Sequence, residues 1–300
     1  MKRAGISVTL CLAVLASAEK SYSEPKFPVL QGEYLGQKTP GLIAQVFAPG
    51  IVSIEGRYEY GIAFSPDLKE VYFSTQEEGG VASIHASRLE KGKWQPIELL
   101  SLTNGEKAGE MQPFISHDNN TMYFTAYNTD FSDTKIWQAQ RSHSGWEKAS
   151  KLDSPINDEE VFYSTLASNG DMYYTDIYKS NVYSSSASKG KYPKTEVVDI
   201  AFGIHSFISP SQDYILVDGL AKGKEKKDKD IFVYFKKKDN TWSEPINLGS
   251  GVNSEFYETV PSVTPDGKYL FFSRYDEPGG RISNFYWVST DVIEKVRPKE

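Results

Sequence analysis

Cysteine is nearly absent from this 300-residue sequence, which contains one, at Cys11. Long hydrophobic runs are also missing, since no segment after residue 18 approaches the roughly 18 apolar residues that a membrane helix needs. These absences exclude a disulfide-stabilised scaffold and a protein with a transmembrane segment. The chain must therefore be stabilised by its own hydrophobic core.

The first 18 residues have the pattern of a signal peptide. Lys2 and Arg3 precede an apolar run at residues 6–16, which is too short to span a bilayer. Ala16-Ser17-Ala18 then provides the small side chains that signal peptidase accepts. We therefore predict cleavage after residue 18 and a periplasmic or secreted mature protein that has no cysteine.

A basic surface is missing as well. The chain has 33 Lys and Arg against 40 Asp and Glu, which gives a formal net charge of −7. Nucleic acid is excluded as a partner, because phosphate binding needs clustered positive charge. One lysine-rich segment, residues 222–229, is interrupted by glycine and acidic residues and is predicted to be a solvated loop.

Familiar catalytic motifs are also lacking. The sequence has no Gly-x-Ser-x-Gly, His-Glu-x-x-His or Cys-x-x-Cys motif, and it has no glycine-rich phosphate loop or calcium loop. Its four histidines are scattered along the chain. No local motif therefore identifies an enzyme class, a resident cofactor or a metal site.

Aromatic residues are abundant, at 13% of the chain, and they recur in a repeated pattern. Each copy has an alternating strand, a tight polar turn such as Ser-Pro-Asp or Thr-Pro-Asp-Gly, and a second aromatic-rich strand, which together predict a β-hairpin. Five copies are present, at residues 62–74, 113–125, 164–175, 206–217 and 261–273.

The sequence after each hairpin completes a larger unit. A third short strand follows every copy, and in the first four copies a fourth strand begins near an aromatic residue: Trp94, Trp146, Tyr192 and Trp242. Four antiparallel strands in series are typical of a β-propeller blade, and a repeat of about 40–50 residues is the usual blade length. The fold class is therefore predicted as all-β, a single β-propeller of five blades, with six blades as the alternative.

The fifth copy has no fourth strand of its own. The sequence offers residues 44–53 as the missing strand, which would pair with 284–288, close the ring and remove two exposed strand edges. The predicted organisation is a signal peptide at 1–18, an N-terminal extension at 19–43, the propeller at 44–290 and a charged tail at 291–300.

These repeats resemble a known family. The pattern Phe-Ser-Pro-Asp-x-Lys-x-x-Tyr-Phe-Ser at residues 64–74, with Trp-x-x-Pro-x-x-Leu at residues 242–248, resembles the WD40-like β-propeller repeats of TolB-type periplasmic proteins. The resemblance covers about residues 44–290. It implies a propeller in the cell envelope that acts as a platform for partners, and it implies little about activity, because propellers carry unrelated functions.

Carboxylates recur at the start of the innermost strand of several copies. Glu59, Glu110 and Glu258 lie seven residues before the turn, Glu160 lies next to the equivalent Val161, and the fourth copy has glycine there. If they converge at the mouth of the central channel, they suit a hydrated cation such as Ca²⁺ or the hydroxyl groups of a sugar. The structural alternative is that each glutamate accepts hydrogen bonds from backbone amides and joins neighbouring segments.

Three further residues are candidates for ligand contact. His205 occurs two residues after the glycine of the fourth copy, and functional residues often lie where a repeat departs from its own pattern. Tyr257 and Arg274 belong to polar and aromatic loops that are predicted to share one rim with the glutamates.

The sequence leaves two functions open. The first is an exported, non-catalytic and monomeric binding module of the cell envelope, which recognises a protein or carbohydrate partner on the glutamate-lined rim. The second is a glycan-processing hydrolase or lyase that uses the carboxylates and His205 as acid and base. No cofactor is required by either function, and Ca²⁺ is the one candidate ion.

Overall fold

The computed structural model describes residues 27–143, 145–220, 229–277 and 280–299. The predicted signal peptide and residues 222–228 of the lysine-rich loop lie outside this part of the chain. None of the described helices is long and apolar enough to cross a membrane.

The described residues form 22 strands with almost no helix. The first half of the chain contains β1 (Gln45–Val46), β2 (Tyr58–Phe64), β3 (Glu70–Gln76), β4 (Ser83–Glu90), β5 (Lys93–Trp94), β6 (Glu98–Leu99), β7 (Gly109–Ile115), β8 (Thr121–Tyr127), β9 (Lys135–Ser142), β10 (Gly145–Trp146) and β11 (Ser150–Lys151). The second half contains β12 (Val161–Leu166), β13 (Met172–Asp176), β14 (Val182–Ser185), β15 (Glu196–Val197), β16 (Ile204–Ile208), β17 (Tyr214–Gly219), β18 (Asp230–Phe235), β19 (Ile246–Asn247), β20 (Glu258–Val263), β21 (Tyr269–Tyr275) and β22 (Ser283–Ser289). The helical segments are two short 3-10 turns, Tyr34–Gly36 and Pro155–Asp158, and α1 (Asp291–Lys295).

These strands group into five antiparallel units, which we number in chain order. Unit 1 comprises β2–β6, unit 2 β7–β11, unit 3 β12–β15, unit 4 β16–β19, and unit 5 β20–β22 together with β1. In units 1 and 2 the outermost position is divided between two short strands that pair with the same neighbour. The predicted series of four-stranded antiparallel sheets is therefore present.

The outermost strand of unit 5 comes from the beginning of the chain. Gln45 pairs with Trp287 and Val46 with Tyr286, in antiparallel register. A parallel bridge between Tyr58 and Ser283 also joins β22 to β2, so units 5 and 1 share one sheet.

The hydrophobic core lies between the units. Successive residues of a strand face opposite sides of its sheet, and in β3 Tyr72 packs against unit 2 while Phe73 packs against unit 5. Further clusters lie between units 2 and 3, units 3 and 4, and units 4 and 5. Each sheet is thus apolar on both faces, which explains the aromatic-rich strands.

The N-terminal extension packs on this core. Tyr34 and Leu35 are buried, and the Tyr34 hydroxyl donates to Asp266 Oδ2 at 2.6 Å. The Trp94 indole donates to Gly32 O at 2.8 Å. These contacts tie the segment before β1 to both unit 1 and unit 5.

The C-terminal residues after 290 pack on the fold, whereas the sequence predicts a separate charged tail at 291–300. Helix α1 buries Val292 and Ile293 in the cluster between units 4 and 5. Arg297 forms an ion pair with Asp213 of unit 4 at 2.8 Å. The apolar pair inside the charged run gives the segment a buried face, so residues 291–297 belong to the folded domain.

Candidate functional site

Glu59 and Glu110 are each held by the loop that precedes their own strand. Glu59 Oε1 accepts from Ile54 N at 2.7 Å and from the Arg57 guanidinium at 2.8 Å. Glu110 Oε1 accepts from Thr103 N at 2.7 Å and from the Thr103 hydroxyl at 2.6 Å. Both carboxylates are buried, and burial raises the pKa of Glu59 to about 7 although Arg57 opposes the shift.

Glu258 is held by the loop that precedes its own strand, whereas Glu160 is held by the loop between β8 and β9 of unit 2. Glu258 accepts from Ser254 N and Oγ and from Arg274 Nε, the last at 2.7 Å. Burial raises the pKa of Glu258 despite these partners. Glu160 accepts from Asp133 N at 3.0 Å.

The four carboxylates form no shared metal site within the described residues. Each one bonds to the backbone of a different loop, and the described residues contain no group of three or more His, Cys, Asp or Glu side chains that could hold a metal ion. Loop amides lie within reach of each side chain, and a buried carboxylate is stabilised by such donors. A role for these glutamates in ligand contact at the channel mouth stays a prediction.

Arg274 and Tyr257 also serve the framework. Arg274 bonds to Glu258 and to Val252 O, and its guanidinium lies 4.3 Å from the centre of the Tyr286 ring. The half-buried Tyr257 ring contacts the Tyr275 ring with centroids 5.6 Å apart. Neither residue lines the cavity described below.

Every innermost strand carries a bulge near its middle, at the same position of the repeat. The residue at the bulge has a left-handed backbone, with φ between +46° and +66° in all five units. These bulge residues are Gly61, Gln112, Tyr163, His205 and Val260. Four of them are not glycine, and such strained conformations are concentrated at functional sites.

In units 1 and 2 a side chain on the second strand supports the bulge of the next unit. Ser74 Oγ accepts from Gln112 N at 2.7 Å, and Thr125 Oγ1 accepts from Tyr163 N at 3.1 Å. The residues at this position, which pair with the residue before the bulge of their own unit, are Ser74, Thr125, Thr175, Asp218 and Ser273. Unit 4 alone has a carboxylate where the others have a hydroxyl group.

Asp218 keeps the supporting bond and gains another. Its Oδ1 accepts from Val260 N at 3.2 Å and lies 2.6 Å from His205 Nδ1. The Asp218 side chain is fully buried and the His205 side chain is 15% exposed. Oδ2 of Asp218 has no hydrogen-bond partner within the described part of the chain. The two residues by which unit 4 departs from the repeat therefore form a buried pair.

His205 lines a cavity of about 320 Å³, which we name the His205 cavity. Its walls combine aromatic and apolar side chains with a few polar groups. The lining residues include Tyr60, Gln76, Gln112, Phe162, Thr175, Asp176, His205 and Lys229. A second cavity of about 540 Å³ shares Tyr58 and Gln76 with it, so the two adjoin on one face of the molecule. Cavities of this size that present a few convergent polar groups are typical ligand sites.

Tyr163 packs beside His205. Its hydroxyl donates to Pro261 O, which joins the bulge of unit 3 to the innermost strand of unit 5. The Tyr163 and His205 rings meet edge to face, with centroids 5.5 Å apart. On the other side of this contact lies a cavity of only about 40 Å³, lined by the turn residues Pro66, His117 and Pro265.

Of the residues predicted from the sequence, His205 alone lines this cavity. Asp218 was not among the candidates, although the sequence contains the signal. Aligning the second strands as well as the first places Asp218 against hydroxyl residues in the other four copies. The unusual residue on the first strand of unit 4, His205, would then have pointed to the unusual residue on the second strand, Asp218.

No protein-family model matches the sequence, and no curated protein matches it. Among solved structures, the chain is similar to the α-L-arabinofuranosidase of Podospora anserina solved with cellotriose, with TM-score 0.53, 9% identity and coverage of 83% of this chain and 97% of that chain. It also resembles a TolB protein of Agrobacterium tumefaciens, with TM-score 0.48, 16% identity and coverage of 73% and 70%. TolB of Acinetobacter baumannii has TM-score 0.47, 15% identity and coverage of 76% and 53%, so the chain spans about half of that protein. With the five antiparallel units, the similarity to the arabinofuranosidase shows a β-propeller fold and nothing about activity.

Proposed function

We propose that this protein is an exported β-propeller that binds a glycan in the His205 cavity. The supporting observation is the composition of the cavity wall. Phe162 offers an aromatic ring to the apolar face of a sugar, while Gln76 and His205 offer hydrogen-bonding groups to its hydroxyls.

The cavity replaces the glutamate-lined rim as the proposed binding surface. The rim carboxylates already accept hydrogen bonds from backbone amides, so a ligand would have to displace those bonds. In the cavity, the His205 side chain bonds only to Asp218 within the described part of the chain. The Lys229 side chain forms no bond to another side chain there. Polar groups of this kind are available to a ligand.

The same proposal gives the propeller five blades and a closed ring. Units 1–5 are the blades, and the pairing of β1 with β22 supports closure by the N-terminal strand. The apolar cluster between units 5 and 1, which includes Phe47, Phe73 and Trp287, also supports closure. A sixth blade would have to come from residues 27–57, where the described residues form one two-residue strand and a 3-10 turn.

Export is supported by the signal-peptide pattern of residues 1–18. Expression of the full chain in a bacterial host should yield a mature protein that begins at Glu19, as determined by N-terminal sequencing. An intact N-terminus in the cytoplasmic fraction would contradict export.

The binding proposal is tested with mature protein on an array of polysaccharides, followed by calorimetry with the glycan that binds. Phe162→Ala should weaken binding at least about tenfold, because it removes a stacking surface from the cavity. Tyr178→Ala is the matched control, since Tyr178 is 77% exposed and lies outside the cavity. A Phe162→Ala variant that binds as well as wild type would contradict this location, and a failure of every glycan to bind would favour a protein partner.

A second candidate function, a glycan-processing enzyme, is favoured by one specific observation. The pair of His205 and Asp218 has the arrangement of a general base and the carboxylate that orients it.

A further inference from the structure

Unit 4 departs from the repeat at two positions, and the two side chains concerned meet. His205 occupies the bulge position of unit 4, and Asp218 stands where the other units have a serine or a threonine. The carboxylate still accepts from Val260 N, so the replacement preserves the bond that joins units 4 and 5. The change adds a charged partner for His205 without removing a structural contact.

The bond to Asp218 determines how the imidazole faces the cavity. A carboxylate accepts a proton, so Nδ1 of a neutral His205 carries the hydrogen and Nε2 retains a lone pair. Nε2 has no hydrogen-bond partner in the described part of the chain. The rings of Phe162 and Tyr163 contact the imidazole edge to face at 4.9 Å and 5.5 Å and restrict its rotation. Nε2 of His205 is therefore a proton acceptor that is held in place at the cavity wall and has no bonding partner in the described part of the chain.

The other charged groups of the cavity are Asp176 and Lys229. Asp176 Oδ1 accepts from Tyr178 N and Lys179 N, at 3.0 Å and 2.7 Å, so this carboxylate is engaged by its own turn. Lys229 lines the cavity and forms no ion pair within the described residues.

Thr175 adds an unused polar atom. Its side chain is fully buried, lines the cavity, and its Oγ1 has no hydrogen-bond partner in the described part of the chain. A buried hydroxyl without a partner costs free energy.

We propose that the His205 cavity hydrolyses ester bonds, with His205 as general base, and that its substrate is an O-acylated glycan. The inference rests on the glycan binding proposed above for the same cavity. Asp218 is a positioning residue, because it acts on the substrate through His205.

The reaction balances with water as the only co-reactant. His205 Nε2 takes a proton from water as the water oxygen bonds to the acyl carbon, and the carbonyl electron pair moves to oxygen. The Lys229 ammonium stabilises the resulting oxyanion. The carbonyl then re-forms, the bond between carbon and the sugar oxygen breaks, and that oxygen receives the proton from His205. The products are a carboxylic acid and a free sugar hydroxyl.

The groups in the cavity suit an ester better than a glycosidic bond. Glycoside hydrolysis uses two carboxyl groups on opposite sides of the scissile bond. Here Asp176 is held by its turn amides, and Asp218 is buried behind His205. Ester hydrolysis needs one base for water and one donor for the oxyanion, and the cavity provides both.

The test measures acetate release from acetylated xylan and turnover of 4-nitrophenyl acetate, with binding of deacetylated xylan measured in parallel. His205→Gln installs the bulge residue of unit 2, and Asp218→Thr restores the hydroxyl of units 2 and 3, so each variant copies a residue that the fold already accommodates. His205→Gln should lower kcat about 100-fold or more, and its binding of deacetylated xylan is measured alongside. Asp218→Thr should lower kcat and shift the pH–rate profile, a readout that a purely structural residue would not move.

The control is His117→Gln, because His117 lies on the opposite side of Tyr163 from the His205 cavity and should leave turnover unchanged. If deacetylated xylan binds but neither ester is hydrolysed in a His205-dependent manner, the ester inference is overturned while glycan binding stands. Equal turnover of 4-nitrophenyl acetate by wild type and His205→Gln also overturns it, whichever polysaccharide binds.

Discussion

The hydroxyl of Tyr163, on the innermost strand of unit 3, donates to the backbone oxygen of Pro261 in unit 5. Both groups are buried, and the bond connects two units that are not neighbours in the chain. The same Tyr163 ring contacts the His205 ring edge to face.

Removing that hydroxyl should destabilise the protein without changing its fold. Tyr163→Phe leaves the Pro261 carbonyl buried and unsatisfied, which costs about 1–3 kcal/mol of unfolding free energy. Urea denaturation followed by fluorescence measures the change. Tyr178→Phe is the control, since Tyr178 is exposed, and an equal loss in both variants would argue against the importance of the Pro261 bond.

The bulge in unit 1 has no room for a side chain. Gly61 has φ +66°, and a Cβ there would lie 3.0 Å from Gln112 Cα. Gly61→Ala should therefore destabilise the protein more than Gly79→Ala, where φ is +72° and nothing lies within 4 Å of the added Cβ. We expect a difference of about 1–3 kcal/mol in the unfolding free energy, from overpacking alone. Equal losses would mean that the bulges of units 1 and 2 are not in close contact.

The N-terminal segment should contribute strongly to stability if it closes the ring. Phe47 is fully buried, and its ring contacts Phe64 of unit 1 and Phe271 and Trp287 of unit 5. Phe47→Ala should cost about 3–5 kcal/mol, the usual range for a buried phenylalanine. Ile43→Ala, at a side chain that is 71% exposed, provides the comparison. Thermal melts in which both variants match wild type would refute closure by this segment.

Glu59 should make stability depend on pH. Burial raises its pKa from 4.5 to about 7 in the folded state, so the folded protein holds the proton more tightly than the unfolded chain. The Glu59 contribution is fully present below about pH 4.5 and is lost as pH rises through 7. Between pH 5 and pH 8, wild type should lose on the order of 2 kcal/mol more than Glu59→Gln. Urea titrations of both proteins at the two pH values measure this, and parallel losses would assign the pH dependence to other groups.

Calcium should have little effect on stability. The carboxylates at Glu59, Glu110, Glu160 and Glu258 are engaged by separate loops, so no set of them is arranged to ligate one ion. We expect the same Tm in millimolar CaCl₂ and MgCl₂. A rise specific to Ca²⁺ that disappears in Glu110→Gln would restore the calcium hypothesis.

The repeated unit was predictable because its determinants are local. Alternating aromatic residues select strands, and Asp67 and Asp266 stabilise their turns by accepting hydrogen bonds from nearby hydroxyl and amide groups. The N-terminal strand could be assigned to unit 5 because one strand was missing there. These inferences needed only the order of segments along the chain.

The candidate site was less predictable because it depends on where side chains point. Glu110 turns towards the amides of residues 102–103, and that choice is made by the path of the preceding loop. Asp218 gains its role from strand pairing, which sets Ile204 opposite it and brings the adjacent His205 within reach. A sequence overlay of one strand could reveal His205 but not its partner.

The equivalence of the five bulges has a consequence for protein engineering. Because Gln112 and Thr125 occupy in unit 2 the positions that His205 and Asp218 occupy in unit 4, the double change Gln112→His and Thr125→Asp would copy the pair onto a second unit. The units then provide equivalent pairs of positions, and a histidine and an aspartate can be introduced at each pair or left out. A designer could place two histidine proton acceptors in different units and set the distance between them by the choice of the second unit.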